Sequence, residues 1–136
     1  MKEFAIRLKR GTDLKKAIEN IAQENNFDTI VVLSAVGCVS RAHFRLAKAI
    51  EDIDVEDGFE ILSLNGTVSK GKAHLHICFS DEFGNAFGGH LKEGTIIETT
   101  CELVLGILEE YSSQRSYDEE TGYDEIEFKK EGKKYD

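Results

Sequence analysis

The sequence of 136 residues suits one domain, and its 40% hydrophobic and 32% charged residues are typical of a folded, soluble protein rather than a disordered one. Its formal net charge of −9 opposes autonomous binding to DNA phosphates, because the basic residues are scattered and form no basic face. The sequence contains no apolar run of ~20 residues, no signal peptide and no paired cysteine motif. These features predict a cytoplasmic protein that does not enter membranes.

The first third of the chain predicts a strand, a helix and a second strand. Apolar residues alternate with charged or small ones over residues 4–8, which indicates a strand. Thr12 or Asp13 can cap the helix that follows, and residues 25–26 mark its end. The apolar stripe of this helix consists of Leu14, Ala17, Ile18, Ile21 and Ala22. The β-branched run at residues 29–33 indicates a buried strand, so the three elements resemble the start of a βαβ unit.

The remainder of the chain is predicted to consist mainly of strands. Outside one hairpin described below, the predicted strands are residues 39–50, 58–68, 95–108 and 123–128. Residues 101–110 are also compatible with a helix, and residues 131–136 form a polar, frayed tail after a single domain over residues 1–130. The sequence therefore predicts an α+β fold with a mainly antiparallel sheet of six to seven strands and one main helix.

A histidine-rich hairpin is predicted at residues 73–91, where the sequence reads AHLHICFSDEFGNAFGGHL. On a strand, His74 and His76 project from the same face because they are two residues apart. A three-residue loop at residues 82–84 places its glycine where positive φ is needed, and the resulting register puts His90 opposite His76. Cross-strand neighbours are about 4.5–5.5 Å apart at Cβ, so three imidazoles are expected to converge as a histidine metal site requires.

Other interpretations of this hairpin remain open from the sequence alone. A two-residue loop would shift the register by one residue and send His90 to the other face. Two glycines at residues 88–89 could host a bulge that disrupts the pairing, and the histidines could simply form a polar surface. Cys78 shares the face of His74 and His76, so it is either a reserve ligand or a buried structural thiol.

The predicted site has ligands and neighbours typical of a transition-metal centre. Imidazoles suit zinc, nickel, copper and iron, and among these divalent metals zinc is the predicted ion. Glu98, Glu102 or Asp81 could orient imidazole N–H groups or act as a general base, the alternative being that they are solvated surface carboxylates. Arg115 could bind an anionic ligand through two parallel hydrogen bonds or form a structural salt bridge. His43 lies in another segment and is predicted to be a surface or interface histidine.

Several short motifs span nearly the whole chain in an order that is typical of one family. They are FEILSLNG at 59–66, HLHI at 74–77, GGHL at 88–91 with Gly94, Thr99 and Thr100 with Glu102, and Arg115 followed by DEETGY at 118–123. With these motifs the sequence resembles the stand-alone prokaryotic type of the PPC (plants and prokaryotes conserved) domain, which is fused to AT-hooks in plant nuclear proteins. The resemblance implies an α+β domain that assembles as a homotrimer and binds a metal through histidines that map to His74, His76 and His90.

Three functions are compatible with these observations. The first is a metal-binding homotrimer with an unassigned role, enzymatic or not, that uses a small-molecule partner. The second is a protein-interaction or assembly module in which any metal is structural. The third is a DNA-associated regulator like the plant relatives, but the chain has no proline and therefore lacks the Arg-Gly-Arg-Pro core of an AT-hook. Residues 95–108 have apolar side chains on both faces, which favours cover by a neighbouring subunit.

Overall fold

The computed structural model describes residues 1–136 and contains ten β-strands, one α-helix and one short 3₁₀ helix. The elements in chain order are β1 (Lys2–Lys9), α1 (Leu14–Glu24), β2 (Thr29–Arg45), the 3₁₀ helix (Ala47–Ala49), β3 (Asp52–Val55), β4 (Phe59–Ser69), β5 (Lys72–Ser80), β6 (Ala86–Leu91), β7 (Ile96–Ile107), β8 (Ser112–Asp118), β9 (Tyr123–Lys130) and β10 (Lys133–Tyr135). Every strand pairing is antiparallel, so the predicted α+β class is confirmed. None of the helices has the length and apolar character needed to cross a membrane.

Seven strands form one sheet that closes on itself at one end. The strand order is β1-β7-β2-β4-β5-β6, and β3 pairs with the end of β2. Strand β2 also pairs with β6, with Phe44 opposite Leu91 and Arg45 opposite His90, so that β2, β4, β5 and β6 form a closed circuit. Strands β1 and β2 lie on either side of β7 and are both antiparallel to it. The first two strands of the predicted βαβ-like unit, β1 and β2, are therefore not direct neighbours, because β7 lies between them.

Strand β2 joins two segments that the sequence predicts as separate strands. Three register shifts against β7 mark bulges, which bend β2 so that it takes part in both ends of the sheet. Gly37 lies at one of these shifts, where a Cβ atom would be 2.0 Å from the backbone oxygen of Thr100, so only glycine fits. The strand ends at Arg45, and the prediction that it continues to residue 50 is wrong, because Lys48 and Ala49 have positive φ.

The hydrophobic core lies between α1 and the sheet and continues inside the closed circuit. The buried side of α1 consists of Leu14, Ile18, Ile21 and Ala22. The Asp13 side chain caps this helix by accepting a hydrogen bond from the Lys16 backbone N–H at 3.1 Å. Inside the circuit, four rings pack with centroids 4.9 to 6.1 Å apart, namely Phe44, Phe59, Phe79 and Phe87. Such aromatic pairs contribute about 0.5–1.5 kcal/mol each beyond their area burial, so the cluster fixes β5 and β6 against β2 and β4.

A second sheet, in the order β10-β9-β8, is attached to the first through a buried group of hydroxyls. The Ser113 Oγ lies 2.7 Å from Thr29 Oγ1 and donates a hydrogen bond to Ser69 Oγ at 2.8 Å. All three of these residues are buried. The Ser113 backbone N–H also donates to the Asp28 carboxylate at 2.9 Å. These contacts hold the start of β8 on β2 and β4, which places the β8–β9 hairpin beside the first sheet.

The sequence pattern does not predict three of the ten strands, β3, β8 and β10. The sequences of β8 and β10, SSQRSYD and KKY, lack the apolar alternation that identifies a half-buried strand. The sequence of β3, DIDV, does alternate, but over only four residues. The tail that was expected to fray instead forms β10, which pairs with β9 over Phe128–Lys130. Glu131 and Gly132 both have positive φ, and this turn returns the chain onto β9.

Candidate metal centre

The hairpin between β5 and β6 has the register that a three-residue loop predicts. His76 lies opposite His90, and the Asp81 backbone N–H donates to the Asn85 carbonyl oxygen at 3.1 Å. Gly84 has a φ of +84°, the positive value expected for the last loop residue. The two-residue loop is therefore excluded, and the two glycines of β6 pair without a register shift.

Three histidines converge on one face of this hairpin. His74 and His76 lie on β5 and His90 on β6, and one ring nitrogen from each lies within 4.8 Å of the others. The ring centroids are 5.2 Å apart for His74–His76, 5.2 Å for His74–His90 and 5.7 Å for His76–His90. A tetrahedral zinc site with Zn–N bonds of about 2.0–2.1 Å needs nitrogens roughly 3.3 Å apart. The two rings on β5, His74 and His76, are exposed, so neighbouring side chains do not enclose them.

The electrostatic surroundings favour the neutral form of two of these imidazoles, His74 and His90. Partial burial is the main cause that lowers the pKa of His90 to about 4, and the positive charge of Arg45 adds to it. Burial, His76 and Arg115 likewise lower the pKa of His74. Both rings are therefore neutral at pH 7, which is the form that binds a metal ion. The Nδ1 atom of His90 is buried without a hydrogen-bond partner, and a metal ligand role would satisfy it.

An arginine extends the row of histidines across the sheet. Arg45 on β2 lies opposite His90 on β6, which in turn lies opposite His76 on β5. Directly paired residues of antiparallel strands project from the same face, so all three side chains share one side of the sheet. His76 is also opposite Asn65 on β4, which continues the polar row.

The histidines open onto two clefts. The first, which we term the histidine cleft, has a volume of about 600 Å³ and is formed by side chains from both sheets. The first sheet contributes His74, His90 and Arg45, whereas the second sheet contributes Arg115 and Glu125. A second cleft of about 490 Å³ also borders His90 and Arg45. Both volumes fall within the range of about 300–1,000 Å³ that is usual for small-molecule sites.

The three carboxylates considered from the sequence lie away from the histidines. Glu98 forms an ion pair with Arg10, and Glu102 lies on the same strand, β7; neither lines the histidine cleft. The strand order separates β7 from β5 by β2 and β4, which explains this distance. Asp81 accepts two hydrogen bonds at 2.9 Å from backbone N–H groups of the hairpin loop, so its role is to stabilise that loop.

The β8–β9 hairpin supplies the remaining charged groups of the cleft. Arg115, considered from the sequence as an anion-binding residue, does line the cleft beside His74. Glu125 also lines it, and this carboxylate opposes the lowering of the His74 pKa that burial chiefly causes. The sequence does not indicate Arg45 or Glu125, because both reach the histidines only through contacts between distant segments. Arg45 does so through the pairing of β2 with β6, and Glu125 through the attachment of the β8–β9 hairpin to the first sheet. The alternation of polar and apolar residues in β9 predicts which face of the strand carries Glu125, but it does not predict which part of the protein lies against that face.

Cys78 and His43 are outside the histidine cluster. The Cys78 Sγ lies 3.8 Å from the backbone oxygen of Phe79, and this thiol is not among the converging ligand atoms. The Nδ1 of His43 lies 2.6 Å from the backbone oxygen of Glu93, and its Nε2 lies 3.3 Å from the Asp52 carboxylate. His43 is thus engaged in contacts that hold β2, β3 and the β6–β7 connection together.

Two cyanobacterial proteins contain a segment that is similar to this chain. The chain is 39% identical over 130 residues to the bifunctional protein GlmU of Synechococcus sp. strain JA-3-3Ab, which covers 96% of this chain and 21% of that protein. The GlmU protein of a second Synechococcus strain is 40% identical over 126 residues. The chain therefore spans about a fifth of the length of the curated relatives it matches.

Solved structures with the same fold cover nearly the whole chain. A hypothetical protein from Salmonella enterica superposes with a TM-score of 0.91 at 29% identity, covering 96% of this chain and 94% of that one. A metal-containing protein from Archaeoglobus fulgidus superposes with a TM-score of 0.74 at 31% identity, covering 91% of each chain.

The family model of the Plants and Prokaryotes Conserved (PCC) domain matches residues 1–109. This range contains the whole first sheet, the helix and the three converging histidines. The β8–β9–β10 sheet, which supplies Arg115 and Glu125, follows the matched range. The resemblance inferred from the short motifs is confirmed, and the chain belongs to the Plants and Prokaryotes Conserved domain family.

Proposed function

We propose that this protein binds one divalent transition-metal ion through His74, His76 and His90, with zinc as the preferred ion. The observation that carries the proposal is the convergence of three ligand nitrogens within 4.8 Å of one another. Chemical support comes from the neutral state of His74 and His90, because a protonated imidazole cannot coordinate a metal. Further support comes from the metal-containing relative of Archaeoglobus fulgidus, which is 31% identical.

The proposed metal has a coordination position left over for a ligand. Three protein ligands are typical of catalytic zinc sites, whereas structural sites are closed by four. His74 and His90 both line the histidine cleft, so a metal held by them would be within reach of a small molecule in that space. A metal bound there would act as a Lewis acid or lower the pKa of a coordinated water. Among the carboxylates that line this cleft, Glu125 is the one that acts on the pKa of His74, so it would accept a proton or orient a ligand there.

We also propose that the functional unit is a homotrimer that does not bind duplex DNA. Three apolar side chains on neighbouring strands are about half exposed in the single chain: Leu33 at 46% and Val36 at 53% on β2, and Leu62 at 56% on β4. Exposed apolar side chains on two paired strands favour cover by another subunit, and three copies can repeat one contact in a closed ring. The acidic net charge of −9 favours small-molecule or protein partners over nucleic acid.

The experiment that tests the metal site uses protein purified without a histidine tag, reconstituted with zinc, dialysed and analysed for bound metal. We expect about one zinc per chain in the unmodified protein and less than about a tenth in His76→Ala, because two imidazoles hold zinc poorly. His43→Gln is the matched control, since it removes the remaining histidine but leaves the cluster intact. Equal zinc content in His76→Ala and the unmodified protein would contradict the assignment.

A further inference from the structure

Two guanidinium groups from different sheets meet beside the histidines. Arg45 reaches the cleft from β2 through its pairing with His90, and Arg115 reaches it from β8. Both are close enough to lower the pKa of His74, after the larger effects of burial and His76. The two arginines therefore line the same cleft as two of the proposed metal ligands, His74 and His90.

Both arginines have donor groups that nothing in the protein satisfies. The Nε of Arg45 is buried and has no hydrogen-bond partner, and the same is true of the Nη2 of Arg115. Arg115 donates from Nη1 to the Asp124 backbone oxygen at 3.2 Å, which fixes the guanidinium plane but leaves the rest of it free. A buried donor without an acceptor is unfavourable, and a bound oxyanion would supply acceptors to both guanidiniums.

Two of the carboxylates that line the cleft, Glu19 and Glu93, have ion-pair partners. Lys15 lies 3.7 Å from Glu19, which also accepts a hydrogen bond from the Ala73 backbone N–H at 3.0 Å. Glu93 lies 3.8 Å from Lys16. The lining contains four basic and four acidic side chains, so it is close to neutral without a metal. A divalent ion on neutral imidazoles would make the cleft positive by two charges and would favour an anion.

We propose that the histidine cleft binds a small organic anion whose carboxylate or phosphate group bridges the open metal position and the guanidinium groups of Arg45 and Arg115. The inference rests on the metal binding proposed above and adds the class of ligand. Arginine is suited to this task because its planar fork matches two oxygens of one anion. The volume of about 600 Å³ leaves room for a small-molecule body behind the anionic group.

The test is calorimetric titration of zinc-loaded, dialysed protein with inorganic phosphate and, separately, with succinate. Zinc content is measured on every sample. We expect one or both probes to bind, and Arg45→Gln or Arg115→Gln to weaken binding by about ten-fold or more, as loss of a charged hydrogen-bond pair predicts. The result with each probe identifies the preferred group. Arg10→Gln is the matched control, because it removes an arginine charge outside the cleft and should leave anion affinity unchanged.

Two further variants keep the test independent of folding defects. Arg45→Lys and Arg115→Lys retain the positive charge but lose the fork, so we expect a partial loss of anion affinity with normal zinc content. Zinc-loaded protein that binds neither probe, or that binds it equally well in both glutamine variants, would overturn the anion site while leaving metal binding intact. Absence of zinc from the reconstituted, unmodified protein would instead contradict the proposed function itself.

Discussion

Arg45 and His90 lie directly opposite each other on β2 and β6, and this pair closes the circuit of four strands around the aromatic cluster. The same pairing places a positive charge beside a metal-ligand candidate, which contributes to its lowered pKa after burial. Closure of the sheet and construction of the site thus depend on the same pairing of β2 with β6. A change that separates β2 from β6 should therefore affect both stability and metal binding.

Gly89→Ala tests this dependence. A Cβ atom at position 89 would lie 2.3 Å from the backbone oxygen of Arg45, so the two strands would have to move apart. We expect a loss of about 1–3 kcal/mol in the free energy of unfolding, as for other overpacked sites. Zinc affinity should fall by about ten-fold or more, the usual effect of disturbing the support of a metal ligand.

The matched control for this variant is Gly58→Ala, because a Cβ at position 58 meets no atom within 4 Å and its φ is not positive. Chemical denaturation and competition with a chromogenic chelator measure the two effects. A Gly89→Ala protein with the stability and zinc affinity of the Gly58→Ala protein would show that β2 and β6 need not be in close contact.

The stability of the metal-free protein should depend on pH through His90. Burial, Arg45 and the neighbouring imidazoles lower its pKa from 6.5 to about 4 in the folded state. Between these values the unfolded chain binds a proton that the folded chain does not, so stability falls as the pH drops from 6.5 towards 4. His74 contributes in the same direction, because burial chiefly lowers its pKa as well.

Urea denaturation at pH 7.5, 6 and 5 measures this effect in metal-free protein. We expect the unmodified chain to lose more stability over this range than His90→Gln, which has no titrating ring at that position. Identical losses in the two proteins would mean that His90 is protonated as readily in the folded state as in the unfolded one.

The histidine hairpin could be predicted from the sequence because its geometry is local. The two-residue spacing of His74 and His76 sets their common face, and Gly84 sets the loop that places His90 opposite His76. Helix α1 could also be predicted from the sequence, since its apolar stripe and the Asp13 cap lie next to each other in the chain. In these segments the residues that decide the structure lie within one short, continuous stretch of the chain.

The walls of the site could not be predicted, because they depend on contacts between distant segments. Arg45 joins the histidines only because bulges bend β2 towards β6. Arg115 and Glu125 join them only because buried hydroxyls around Ser113 hold β8 against the first sheet. Strand β8 has almost no apolar residues, so a pattern of hydrophobic alternation does not detect it. A polar strand fixed by tertiary hydrogen bonds has no local signature.

We predict no useful affinity for duplex DNA at physiological salt. Non-specific binding depends on the release of counterions by a basic surface, and a chain with a net charge of −9 opposes it. A fluorescence anisotropy titration with a labelled duplex should show no binding tighter than about 10⁻⁶ M. Tighter binding that weakens as salt increases would contradict this expectation, and the same titration on Arg45→Gln would show whether the cleft is responsible.

The proposed trimer makes Leu62 the most direct position for a test. Its side chain is 56% exposed in the single chain, and it follows Ile61, which pairs with Gly37 of β2, the strand that carries Val36 and Leu33. If this surface is the subunit contact, Leu62→Glu buries a carboxylate without a partner, which is strongly unfavourable. Light scattering should give three times 15.2 kDa for the unmodified protein and a smaller mass for the variant.

Phe83→Glu is the control for this variant, because Phe83 is 80% exposed on the hairpin loop, away from the three apolar residues of β2 and β4. It removes a large apolar side chain and adds the same charge, so it separates a specific subunit contact from general surface hydrophobicity. We expect it to retain the mass of three chains. An unmodified protein that remains a single chain at micromolar concentration would refute the trimer. The proposed site would not be refuted by that result, because one chain supplies the histidine cluster and both arginines.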